Sequence, residues 1–177
     1  CLEDYLNAID IRLNLFSDAG CEYADHSLDA GFRFVPVSSG EASSLFGKLL
    51  QTGEISPAET VKLQSYVLLF MGRCYARRNW NMQLHIGAKR DTNTQLRTRL
   101  GPAGGYAAIG SACDVNSLVC FLDTLNEEDS LPRTILYTLN PADNAVFATL
   151  TGSYSGSGIL GKVQFGPAWW YNDHLEG

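Results

Sequence analysis

The chain has 177 residues, 45% of them hydrophobic and 18% charged, a composition ordinary for a folded globular protein and too apolar for a disordered one. Thirteen basic against nineteen acidic residues give a net charge of -6, which argues against a general nucleic-acid surface, because phosphate binding needs a concentrated positive field. No window approaches the roughly 20 uninterrupted apolar residues of a membrane helix, and the acidic opening Cys1-Leu2-Glu3-Asp4 is unlike the basic start of a signal peptide.

In chain order, residues 2–18 carry apolar positions at Leu6, Ile9, Leu13 and Phe16, one face of a helix that Gly20 ends. Cys21-Glu22-Tyr23-Ala24 reads as a short strand ending at Asp25-His26, and residues 41–50 as a short helix. Ser56-Pro57-Ala58-Glu59 is a helix start: a capping serine, a proline at the first helical position and an acid at N3. That helix runs to about Arg78. A second strand follows over residues 82–87, then a polar, glycine-rich loop over about 89–111. Residues 114–125 predict a helix, 133–139 a third strand closed by Asn140-Pro141, 141–150 a helix, and 161–166 a fourth strand.

Strands therefore alternate with helices four times, which predicts an α/β fold with a parallel sheet. In such folds the chemistry sits at the C-terminal ends of the strands. The five cysteines are odd in number and hold no CxxC pair, which disfavours a zinc knuckle or a disulfide framework and fits reduced thiols in a cytoplasmic protein. The chain opens on Cys rather than Met and stops in a polar stretch, so an excerpt of a longer polypeptide is expected.

Four places could carry chemistry. Asp25-His26 reads either as a metal- or substrate-binding pair or as a helix cap beside a surface histidine. His85 sits between Leu84 and Ile86, so alternation turns it to the opposite face from both neighbours. It is either a site residue or a hydrogen-bonded core histidine. Lys89-Arg90 could hold a carboxylate or phosphate, or simply be a solvated loop. Trp169-Trp170-Tyr171 would either wall a sugar pocket or pack in a core. Gly156-Ser157-Gly158-Ile159-Leu160-Gly161 fits GxGxxG, but it precedes a strand instead of following one, so it offers no helix N-terminus to a pyrophosphate. Neither GxSxG nor HExxH occurs.

Several runs together resemble the uronate isomerase (glucuronate isomerase) family. They are Gly20-Cys21 with Asp25-His26-Ser27-Leu28-Asp29, Tyr75-Ala76-Arg77-Arg78, residues 82–90, residues 131–137 with 139–144, and residues 161–166 with Trp169-Trp170-Tyr171-Asn172-Asp173. The resemblance follows family order along the whole chain. It implies a divergent branch of the amidohydrolase superfamily on a (β/α)8 TIM barrel, with residues 1–177 forming the central part of one barrel domain, about strands four to seven, truncated at both ends. A full barrel needs about 250 residues. The implied reaction interconverts D-glucuronate with D-fructuronate and D-galacturonate with D-tagaturonate.

The same resemblance implies a divalent metal, with zinc the expected ion, held by a His-x-His pair and an Asp that this chain lacks. No metal ligand is therefore assigned within it, and the isolated chain is expected to be inactive. His85 and His26 are the expected catalytic groups, with Arg90, Trp169, Trp170 and Asp25 as substrate-binding residues. The expected partner is a small uronate sugar, with neither nucleic acid nor membrane involved and a homo-oligomer left open. A metal-dependent hydrolase of the same superfamily and a non-catalytic sugar-binding module are the alternatives.

Overall fold

Burial alternates residue by residue along the three long strands, and that alternation gives the sheet two unlike faces. The computed structural model describes residues 1–155, 158–167 and 169. Its main sheet has four strands in the order β1 (Tyr23–Leu28), β2 (Asn81–Ile86), β5 (Arg133–Thr138), β6 (Val163–Phe165). β5 and β6 run parallel, with Thr134 opposite Val163 and Leu136 opposite Phe165. β1 and β2 also run the same way: Asn81 N–H donates to Glu22 O (2.8 Å) at one end and Gly87 N–H to Leu28 O (3.0 Å) at the other. Leu139 N–H donates to Ile86 O (3.0 Å), which joins the C-terminal ends of β5 and β2. The chain is thus an α/β protein with a parallel sheet, as the alternation of elements predicts.

A second, two-stranded antiparallel ribbon pairs β3 (Ala88–Lys89) with β4 (Ala108–Ile109), Ala88 opposite Ile109. Between them lies α4 (Thr94–Leu100), capped by Asn93 Oδ1 accepting from Leu96 N–H. Sequence reading expects only a loop over 89–111. Strands of two residues are too short to show a period, and their pairing joins positions about twenty apart.

The strand expected over 21–24 also differs. β1 starts at Tyr23 and continues through Leu28, so Asp25 and His26 lie in the middle of the strand instead of ending it. The reason is the exposure pattern of β1, exposed and half-buried in turn: its outward residues are polar, and no apolar run marks its length.

Contacts divide the chain into two units. The first, residues 1–24, 33–81 and 116–132, is helical. It holds α1 (Leu2–Asp18), α2 (Ser39–Thr52), α3 (Pro57–Arg77) and all but the first residue of α5 (Val115–Glu127). Ser56 caps α3 as its sequence predicts, accepting from Glu59 N–H while the Glu59 carboxylate accepts from Ser56 N–H at 2.8 Å. These bonds and Lys48 hold Glu59 down to about 2, the Lys48 hydrogen bond being the largest influence. Leu2, Ala42 and Leu63 form a buried cluster with Leu6, Phe46 and Tyr66 around it. On α1, Leu2 and Leu13 are buried while Phe16, expected on the inner face, is exposed. The Arg78 guanidinium ties α3 to α1 through Asp10 Oδ1 (2.9 Å) and Asp10 O (3.1 Å). Burial pushes the Asp10 carboxyl up, but the Arg78 bond and charge outweigh it and hold it below its ordinary value.

The second unit, residues 25–32, 82–115 and 133–177, holds most of the sheet, the β3–β4 ribbon, α4, a 3-10 turn (Pro141–Asp143) and α6 (Asn144–Gly152). Met82, Leu84, Ile86, Leu136 and Val163 are buried along one face of its sheet, with Phe147 of α6 buried as well. Asp143 is buried and accepts from Cys113 N–H (3.1 and 3.0 Å) and from Thr138 Oγ1 (3.3 Å). No helix of the described residues is long and apolar enough to cross a membrane.

Candidate active site

Strand alternation decides which side chains meet. On β2, Met82, Leu84 and Ile86 are buried, so Gln83 and His85 project from the other face. Asp25 and Ser27 of β1 and Tyr137 of β5 share that open face. There His85 Nδ1 lies 2.6 Å from Asp25 Oδ1. The imidazole stacks on the Tyr137 ring at 4.3 Å between centroids and 8° between planes. Trp169 approaches the same imidazole at 4.4 Å, tilted by 54°. Tyr137 donates its hydroxyl to Gln83 Oε1 at 2.9 Å.

The arrangement has a chemical direction. Asp25 is an acceptor when ionised, so it holds the proton of His85 on Nδ1 and leaves Nε2 as the basic nitrogen. The Asp25 side chain is 61% exposed and that of His85 15%. The Asp25 carboxylate is thus largely in solvent, while the imidazole it holds is mostly covered. Sequence reading singled out His85 and Asp25 but had no means of pairing residues sixty apart. Gln83 and Tyr137 were missed, although both follow from the period of two that places His85.

Arg90 stands just past the β3 strand. Its Nε donates to Asp29 Oδ1 (2.8 Å) and its Nη2 to Ser27 Oγ (2.6 Å). Ser27 lies two residues beyond Asp25 on β1, about 7 Å along the strand. The guanidinium and the imidazole are thus both anchored to one row of β1 side chains. His26 is not brought into this group: as the residue between Asp25 and Ser27 it projects from the opposite face of β1. Burial pulls its imidazole below the ordinary value, against a weaker upward pull from the Asp25 carboxylate. Trp169 joins the group, and Trp170 lies outside the described residues.

Among the described residues, no three His, Cys, Asp or Glu side chains converge as ligands for a metal ion. His85 and Asp25 supply two donors where a zinc centre takes at least three from protein. These residues on their own do not fit a metal site. What they form is a hydrogen-bonded group: an imidazole held by a carboxylate, a guanidinium anchored on the same row of β1, and two aromatic rings against the imidazole.

Comparison with known proteins agrees along the whole length. A family model described as glucuronate isomerase matches residues 1–177. The chain is 44% identical over 175 residues to a uronate isomerase of Caldanaerobacter subterraneus, covering 99% of this chain and 37% of that protein. It is 43% identical over 176 residues to a uronate isomerase of Salmonella arizonae, with the same coverage. The crystal structure of uronate isomerase from Thermotoga maritima superposes with a TM-score of 0.86 at 26% identity, covering 98% of this chain and 36% of that one. That of glucuronate isomerase from Caulobacter crescentus gives 0.80 at 27% identity, covering 94% and 33%. The chain spans a little over a third of the length of the relatives it matches. With a family model along every residue and relatives above 40% identity over nearly all of them, the chain belongs to the glucuronate isomerase family.

Proposed function

We propose that these 177 residues form the central part, about strands four to seven, of a (β/α)8 barrel in a longer uronate isomerase. The whole enzyme would interconvert D-glucuronate with D-fructuronate and D-galacturonate with D-tagaturonate. The observation that carries this reading is the Asp25–His85 pair at 2.6 Å on the open face of a parallel sheet. Family membership supports it. The divalent metal of the whole enzyme would take its ligands from outside this segment, and alone it would not turn over substrate.

Aldose–ketose isomerisation moves a hydrogen between C2 and C1 while the carbonyl moves the other way. A base from outside these residues takes the C2 proton as O1 is protonated, which leaves an enediol; the same base returns the proton to C1 while O2 gives up its hydroxyl proton and becomes the carbonyl. Each hydroxyl transfer needs a group that accepts and returns a proton. His85 is suited to it: Asp25 fixes the Nδ1–H tautomer, and Nε2 accepts from a sugar hydroxyl and gives the proton back. Arg90 would pair with the uronate carboxylate, which it can do only by sharing its donors with Asp29 and Ser27. Trp169 would lie against the sugar and exclude water. His26, on the other face of β1, would act at one remove from the sugar by setting the strand beneath Asp25.

The test is His85→Asn in the full-length enzyme, which keeps a donor near Asp25 but removes the basic nitrogen. Turnover of both uronates should fall by about 10²-fold or more. Near-normal kinetics would remove His85 from the reaction.

A further inference from the structure

Four adjacent strands each contribute one residue to a row across the open face. The row runs Asp25 on β1, His85 on β2, Tyr137 on β5 and Gly166 directly after β6. Asp25 bonds the imidazole edge, and Tyr137 stacks on its plane. Gly166 lies against the far side of the phenol. A Cβ at that position would stand 2.4 Å from Tyr137 Cε1 and 2.5 Å from Cδ1, closer than any packed carbons allow. The backbone there is fixed as well, Gly166 N–H donating to Leu136 O at 2.8 Å. The Tyr137 hydroxyl meanwhile reaches along β2 to Gln83, two residues before His85 on the same face.

A hydrogen bond at Nδ1 alone leaves an imidazole free to swing about that bond and carry Nε2 with it. A ring stacked at 8° removes this freedom, because rotation would break the face-to-face contact. The phenol can hold the imidazole only if it cannot move itself, and it is fixed on two counts, by Gln83 at its hydroxyl and by the backbone of residue 166 behind its ring. We infer that Tyr137 is a positioning residue that sets the direction of His85 Nε2, and that residue 166 must be glycine to admit it. This deepens the reading of His85 given above and rests on it.

A phenol that merely filled space would tolerate any apolar replacement of similar bulk. The variants are therefore Tyr137→Leu, which removes the ring, Tyr137→Phe, which keeps it, and Gly166→Ala, which pushes a methyl group into it. All are made in the full-length enzyme and checked for native circular dichroism. The readings are kcat and KM for D-glucuronate, and the ring-nitrogen shifts of His85 in protein labelled with 15N-histidine. Tyr137→Leu and Gly166→Ala should lower kcat by about 10-fold or more with KM changed by less than about 3-fold. Both should also shift the His85 ring-nitrogen resonances, because the ring tilts out of the stack and its bond to Asp25 is no longer held at the same angle. Tyr137→Phe should recover most of the loss. Should Tyr137→Leu fail to fold, Gly166→Ala carries the same two readings.

Wild-type kcat and unchanged nitrogen shifts in Gly166→Ala or Tyr137→Leu would overturn the positioning role. His85→Asn measured alongside separates the two ideas. If His85→Asn turns over normally, the functional reading of His85 fails, yet the ring-nitrogen shifts in the Tyr137 and Gly166 variants still test the stack. If His85→Asn is slow while the other variants match the wild type, only the stack's role is lost.

Discussion

His26 and His85 stand on neighbouring strands and meet opposite conditions. His85 has a carboxylate on one nitrogen and two aromatic rings against its plane. His26 projects from the other face of β1, where burial holds its imidazole below the ordinary value of about 6.5. A depressed folded-state value means that the unfolded chain binds the proton more readily. The stability His26 contributes by staying neutral is therefore present above about pH 6.5 and is lost as pH falls from there towards its native value. Urea midpoints between pH 7.5 and 5.5 should drop more steeply for the wild type than for His26→Gln. Parallel curves would mean that another group titrates in that window. At this scale the sequence was half legible. The neighbours Leu84 and Ile86 betray the facing of His85, but the bond to Asp25 crosses sixty residues and needs the strand order β1-β2 to be known. Gln83 carried a usable signal, a polar residue two positions before His85 on a strand of otherwise buried alternates.

Elements divide by how much of their structure is local. α3 is announced by Ser56, Pro57 and Glu59, β2 by alternation and β5 by the Asn140-Pro141 that closes it, so each appears close to where the sequence predicts. The segment after β2 is not local. Its ribbon forms because Gly110 N–H reaches Gly87 O at 2.8 Å and Ala30 N–H reaches Ala88 O at 2.8 Å, clasping three distant stretches. Gly110 permits this: a Cβ there would lie 2.1 Å from Ala30 Cβ and 2.8 Å from Gly87 O. Gly110→Ala must part these backbones, because a β-carbon and a carbonyl oxygen cannot swing aside as the end of a long side chain can. A loss of about 1–3 kcal/mol is expected in chemical denaturation; in the full-length enzyme, under the proposed role of Arg90, a raised KM for uronate is expected as well, since Arg90 follows β3 directly. Unchanged stability would show that the clasp gives way without strain.

At the level of the whole molecule, the sheet ends on β1 and β6, and among the described residues neither carries a strand on its outer side. Unpaired N–H and C=O groups along such borders recruit other strands, whereas closure into a barrel removes them. The 177-residue chain made alone should therefore associate with itself, its mass in sedimentation equilibrium rising with concentration. A monomer's mass at every loading would count against exposed borders. The number and direction of the main strands were readable because helices and strands alternate. The extent of β1 was not, because its exposed positions Asp25 and Ser27 are polar where a buried strand would show an apolar run.

The approach of Trp169 to His85 at 4.4 Å between ring centres has a use outside catalysis. An excited indole hands an electron to a protonated imidazole far more readily than to a neutral one. The emission of Trp169 is therefore dimmer beside a cationic ring than beside a neutral one, and comparison with Trp169→Phe isolates its share from that of the chain's two other tryptophans.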